Sequence, residues 1–180
     1  MGGRRAFLST GLGLSTGLGV MVGLGLLAGC GFRPMLKAGE EPAVREQLAA
    51  IEIAGLAGRI GQLVRNALLD ELNPTALEVP SRYKLVVQLN RRASALGIQL
   101  NNTITRYNLT LTARFQLLDE TDADILYSST VRRIASYNVR RAPYSTLVAE
   151  LDAERRAAQE IGTDIRTLLA VHFARTTNVT

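Results

Sequence analysis

Three stretches of the chain alternate apolar and polar residues with the period of two that suits a strand with one buried and one wet face. In 82–90, Tyr83, Leu85, Val87 and Leu89 alternate with Arg82, Lys84, Val86, Gln88 and Asn90. In 106–117, Tyr107, Leu109, Leu111, Ala113, Phe115 and Leu117 alternate with Arg106, Asn108, Thr110, Thr112, Arg114 and Gln116. The third stretch, 125–137, holds Ile125, Tyr127, Ser129 and Val131 in one phase and Ile134 in the other, which predicts a bulge near Arg132 and Arg133. A shorter alternation over 47–53, carried by Ala49, Ile51 and Ile53, predicts a fourth strand. The short polar connection 119–124 predicts a hairpin. The link 93–105 is longer, with Gly97, Asn101 and Asn102 at its tip.

Two stretches have helical spacing instead. Leu56, Ile60, Leu63, Val64, Ala67, Leu68 and Leu72 share one face, with Arg59, Gln62, Arg65, Asn66 and Asp70 opposite them. Asn73-Pro74 ends that helix, because proline disfavours helical geometry in the residue before it. After Pro143, Leu147, Leu151, Ala158, Ile161, Ile165, Leu168 and Phe173 mark a second helix over 145–174. At about 1.5 Å per residue it would run about 45 Å, longer than any of these strands, so one end is expected to overhang the sheet. The order strand, helix, three strands, helix predicts a single α+β domain over 46–176. Its sheet would be four-stranded and mainly antiparallel, with both helices on the one apolar face.

The first thirty residues follow a different pattern. Arg4 and Arg5 precede an apolar, Gly- and Leu-rich run over 7–27 that ends in small residues, the layout of a secretory signal over 1–29. A transmembrane helix is the competing reading, but the run's many glycines each cost about 1 kcal/mol of helix propensity and no stop-transfer charges follow. Leu27-Ala28-Gly29-Cys30 resembles a bacterial lipobox. That resemblance implies cleavage before Cys30, a thioether-linked lipid on its thiol, and no cofactor beyond this covalent lipid. Cys30 is the chain's one cysteine, so it has no intramolecular disulfide partner. Arg4-Arg5-Ala6-Phe7-Leu8 also resembles the twin-arginine export motif, and both export routes stay open. Residues 30–45 mix Gly, Pro and charge without periodicity and are expected to form a tether.

Charge and candidate chemistry then narrow the function. The net charge of +5 includes Arg4 and Arg5, so the part that follows the leader carries +3, too little to point to nucleic acid. The one histidine, His172, lies late in a helix and is expected to be structural. No nucleophile elbow or phosphate-cradling glycine loop is present after the leader, and no enzymatic activity or metal site is expected. Asp152, Glu154 and Glu160 are expected to pair with Arg155, Arg156 and Arg166 on a solvated helix face. Three basic pairs stand out, Arg91-Arg92, Arg132-Arg133 and Arg140-Arg141, each expected at or near a strand end. Such pairs either solubilise sheet edges or bind phosphate through guanidinium forks.

Several segments carry a family resemblance. They are Cys30-Gly31-Phe32-Arg33-Pro34, the helix 59–72 with Val64-Arg65-Asn66-Ala67-Leu68 at its centre, Thr105-Arg106-Tyr107-Asn108-Leu109, Ser136-Tyr137-Asn138-Val139, Pro143-Tyr144-Ser145-Thr146-Leu147 and Asp164-Ile165-Arg166. Together the chain resembles the lipopolysaccharide-assembly lipoprotein family, LptE, in its alphaproteobacterial form. The resemblance implies an α+β lipoprotein on the periplasmic face of the outer membrane that plugs the LptD β-barrel and helps insert lipopolysaccharide. Gly31 stands where an aspartate would signal inner-membrane retention in enteric bacteria. Enterobacterial members carry a basic residue in the loop between the second and third strands; the corresponding 96–102 has none, and Arg91, Arg92 and Arg106 beside it are the candidate lipopolysaccharide-binding residues. An auxiliary lipoprotein of a phospholipid-transport ABC system is the alternative.

Overall fold

The computed structural model describes residues 41–98, 104–139 and 142–177. Cys30, the leader and most of the expected tether lie outside them, as do Asn101, Asn102, Arg140 and Arg141. The described elements are α1 (Pro42–Ala49), β1 (Ile51–Ile53), α2 (Gly58–Leu72), β2 (Tyr83–Ile98), β3 (Ile104–Asp119), β4 (Ile125–Asn138) and α3 (Pro143–Thr177). The sheet order is β1-β2-β3-β4. β2, β3 and β4 are successively antiparallel, while β1 runs parallel to β2. The fold is therefore α+β, as expected, but the sheet is mixed and three helices accompany it.

The physical reasons for these differences are local. α1 takes up the end of the expected tether and the start of the expected first strand, because Val44 and Leu48, one turn apart, are both buried in the core and Pro42 opens the helix. Only Ile51–Ile53 remains as strand, with Ile51 and Ile53 inward and Glu52 exposed. A parallel neighbour needs a crossover connection, and α2 supplies it between β1 and β2. Asn73 caps that helix and closes the following turn by exchanging two hydrogen bonds with the Leu77 backbone, at 2.8 and 3.0 Å.

Every core residue contributed by the strands is odd-numbered: Ile51, Ile53, Leu85, Val87, Leu109, Leu111, Ala113, Phe115, Leu117, Val131 and Tyr137. The alternation is thus a true one-sided pattern, and the core lies between this inner face and Val64, Leu68, Ala157, Ile161, Ile165 and Leu169 of the helices. α2 and α3 approach closely where Gly162 faces Ala67; a Cβ at Gly162 would stand 3.1 Å from that of Ala67. Asp119 closes the expected hairpin by accepting a 2.8 Å hydrogen bond from the Thr121 amide. This bond draws the Asp119 carboxyl below the usual aspartate range.

Two expectations about shape change. β4 pairs without interruption through Arg132 and Arg133, and its irregularity lies at the other end, between the partners of Leu117 and Leu118. Ile134 is out of phase because it sits on the outer face, 54% exposed. The expected link 93–105 is strand at both ends, since β2 continues to Ile98 and β3 begins at Ile104. Sixteen strand residues span about 53 Å, so β2 and β3 match α3, whose 35 residues span about 52 Å. α3 does outrun the core, since none of its buried residues precedes Ala153, but the strands extend with it. No described helix is long and apolar enough to cross a membrane.

At the hairpin end, His172 stacks on Tyr127 with ring centres 4.9 Å apart and touches Phe173, which in turn packs on Tyr83. Burial lowers the His172 pKa below its ordinary 6.5. The unfolded chain then binds the proton more readily than the folded one, so this residue lowers stability as pH falls from about 6.5 through the folded value. A series of urea melts from pH 7.5 to 4.5 should show that loss, and His172→Gln should flatten this part of the profile while changing stability little at pH 7.5. An identical pH slope in both proteins would show that His172 is not its source.

Candidate functional site

The basic pairs on the strands do not act as pairs. They lie mid-strand rather than at strand ends, and alternation sends the two members of each to opposite faces of the sheet. Arg91 turns inward to α3, where its Nε lies 2.9 Å from Glu154 and its terminal nitrogen pairs with Glu150. Arg59 of α2 pairs with Glu154 as well, so this carboxylate, only 6% exposed, ties β2, α2 and α3 together. Arg133 forms a two-pronged contact with Asp164, its Nε at 2.5 Å, and lies 3.9 Å from Glu160. The acids of α3 therefore serve mainly as partners for the sheet. Of the expected pairs along the helix, Asp152 with Arg156 is formed, while Arg166 Nε instead donates a 3.0 Å hydrogen bond to the Glu71 carbonyl of α2.

The other two arginines, Arg92 and Arg132, stand on the outer face and are exposed. Cross-strand register places Arg92 beside Thr110, Asn90 beside Thr112 and Thr112 beside Arg132, with Arg114 one row further along β3. These six residues line an open depression of about 590 Å³. Arg106 shares this face but stands two rows away from Thr110, where its Nε donates a 3.2 Å hydrogen bond to Asn138. Of the three candidates named from the chain, Arg92 and Arg106 are thus on one surface and Arg91 is on the other. Arg114 and Arg132 join Arg92 through register alone. The local signal of Arg114 was its place on the polar phase of its strand, and that of Arg132 was its membership of a basic pair.

Beyond the core, the same end of the molecule exposes Tyr144, Leu147 and Val148 on the first turns of α3. Spaced i, i+3 and i+4, they form an apolar stripe. On the inner face of the strands Tyr107 stacks on Tyr137 at 5.7 Å, and burial pushes the Tyr137 hydroxyl above its ordinary pKa. Among the described residues, no group of three or more His, Cys, Asp or Glu side chains is placed to hold a metal ion.

The family model described as LptE, lipopolysaccharide-assembly, matches residues 46–169, from α1 into the last turns of α3. The chain belongs to the LptE family. That membership makes it a lipoprotein of lipopolysaccharide assembly, in agreement with the resemblance carried by its sequence. A crystal structure named as a lipoprotein from Caulobacter crescentus CB15 is similar at a TM-score of 0.63, with 26% identity over 73% of this chain and 96% of that one. The minor lipoprotein from Acinetobacter baumannii shares the fold at a TM-score of 0.54 and 16% identity, over 67% of this chain and 88% of that one. No curated protein matches the chain at a significant level.

Proposed function

We propose that this LptE-family protein is anchored by a lipid on Cys30 to the periplasmic face of the outer membrane, where it complexes with the LptD β-barrel and takes part in delivering lipopolysaccharide. The observation that carries the reading is the family match across 46–169, joined to a lipobox-like cysteine upstream of it. The form of the molecule suits a plug. One end of a hairpin with two 16-residue strands and the first turns of α3 project beyond the core, with arginines on one side and an apolar stripe on the other. Arg92 and Arg106 are the lipopolysaccharide contacts in this reading, and Arg91 braces the sheet against α3. The protein acts by assembly and lipid handling and catalyses no reaction. Tagged full-length protein extracted in mild detergent should bring down a large outer-membrane barrel in a stable complex. Recovery of an inner-membrane ABC transporter in its place would overturn the reading.

A further inference from the structure

The sheet ends on β4, and its order β1-β2-β3-β4 leaves that strand with β3 on one side and, among the described residues, no strand on the other. Backbone amides and carbonyls directed to an open side are a template for another strand. Folded proteins guard such an edge with proline, lysine, a bulge or brevity. β4 is 14 residues long, contains no proline, lysine or glycine, and pairs with β3 without a register shift from Tyr127 to Asn138. β2, which has an open side beyond Leu85, is instead broken by two register shifts around Gly97. The large apolar side chains Ile125, Leu126 and Ile134 are all exposed on β4. Its two charges are Arg133, which is paired with Asp164, and Arg132. Both ends of the regular edge are marked. At one end Leu126 is the extra residue between Ile125 and Tyr127, the partners of Leu118 and Leu117. At the other, Arg156 of α3 donates a 3.4 Å hydrogen bond to the Ser136 carbonyl.

We infer that β4 pairs antiparallel with β4 of a second copy of this chain, about a two-fold axis at Thr130, and so joins two four-stranded sheets into one of eight strands. The sequence of the edge selects this register. Opposite residues of an antiparallel pair share a face, so outer residues must meet outer ones and the axis has to pass through a residue rather than between two. With the axis at Thr130, Ile134 of each copy faces Leu126 of the other, and Ile125, carried to the outer face by its pairing with Leu118, lies beside that contact. The three exposed apolar side chains of β4 are then gathered at two symmetric places, and Arg132 faces Ser128. The neighbouring registers are worse. An axis at Val131 sets Ile134 against Ser128 and Leu126 against Ser136, and one at Ser129 sets Leu126 against Arg132. An axis at Arg132 brings two guanidinium groups face to face, and like charges directly opposite destabilise a pair. The Thr130 register runs from Leu126 to Ile134, between the bulge and the carbonyl held by Arg156, and would exchange about eight backbone hydrogen bonds between the copies. A closed β-barrel has every strand paired and no open edge to offer, so the inference goes beyond the barrel partnership and does not rest on it.

The test is disulfide mapping in the full-length protein, purified in detergent and mildly oxidised, with each bond located by peptide mass so that any bond through Cys30 is told apart. Thr130→Cys should cross-link to its own copy, because directly opposite Cα atoms lie about 4.5–5.5 Å apart, a span that a disulfide bridges. Ser128→Cys and Arg132→Cys each lie about 14 Å from their own copies in this register. Mixed together, these two variants should join to each other at least tenfold more than either joins to itself. Leu126→Lys/Ile134→Lys should weaken the dimer at least tenfold in sedimentation equilibrium, with an unchanged circular dichroism spectrum. Leu147→Lys, in the exposed apolar stripe of α3, should leave the dimer intact. A parent protein that sediments as a monomer throughout would overturn the inference. So would Ser128→Cys or Arg132→Cys linking to itself as readily as to the other, or a dimer lost with Leu147→Lys and kept with the β4 variant. These measurements contain no barrel, so their failure and a failed co-purification are separate results.

Discussion

Leu111→Ala should destabilise the domain by about 2–5 kcal/mol in urea denaturation followed by circular dichroism. Leu111 is fully buried at the middle of β3, a strand with neighbours on both sides. Its cross-strand neighbours on the inner face are Arg91 and Arg133, the two residues that reach up to the acids of α3. Removing the isobutyl group takes away buried apolar surface and leaves a cavity under those ion pairs that the paired strands cannot close. Ile165→Ala, on the facing side of α3 and equally buried, should cost a similar amount. Thr112→Ala is the matched control, one residue along the same strand but on the outer face, and should stay within about 0.5 kcal/mol of the parent. A slip of one residue exchanges the faces of a strand. If Thr112→Ala costs as much as Leu111→Ala, the assignment of inner and outer faces is wrong.

Cys30→Ala should abolish lipid anchoring at the outer membrane. The proposed anchor needs the thiol to form the thioether, and cleavage in a lipobox follows that modification, so the variant should accumulate as unlipidated precursor or appear in the soluble fraction. Acyl chains contribute about 0.8 kcal/mol per buried CH₂, and stable attachment takes more than one chain; none would be present. Labelling with radioactive palmitate should mark the parent and leave the variant unmarked. Fractionation after a carbonate wash should be done in cells depleted of the barrel, since a protein complex could hold the variant at the membrane by itself. Retention of the variant in the washed outer membrane of such cells would show that another tether operates.

Much of this architecture was legible in the chain. The phase of β2, β3 and β4, the position of α2, the end of that helix at Asn73 and the hairpin at Asp119 all follow from patterns within a few residues, and the structure keeps them. α1 was not legible, because two buried residues one turn apart make no periodic signal until the core receives them. The parallel pairing of β1 was equally hidden, being a consequence of where α2 carries the chain.

The arginines show where the boundary lies. Alternation alone determines that Arg91 and Arg92 point to opposite faces, as do Arg132 and Arg133, because a period of two is a property of adjacent residues and holds in any register. Which partners they meet was decided by the tertiary structure. Glu150 and Glu154 reach Arg91, and Asp164 reaches Arg133, only because α3 lies along the inner face in one particular alignment. Arg92, Arg114 and Arg132 share a surface only because Arg92 falls opposite Thr110 and Arg132 opposite Thr112. Register joins residues some twenty positions apart, and it is set by the fit of the whole sheet against its helices, which no local pattern of apolar and polar residues contains.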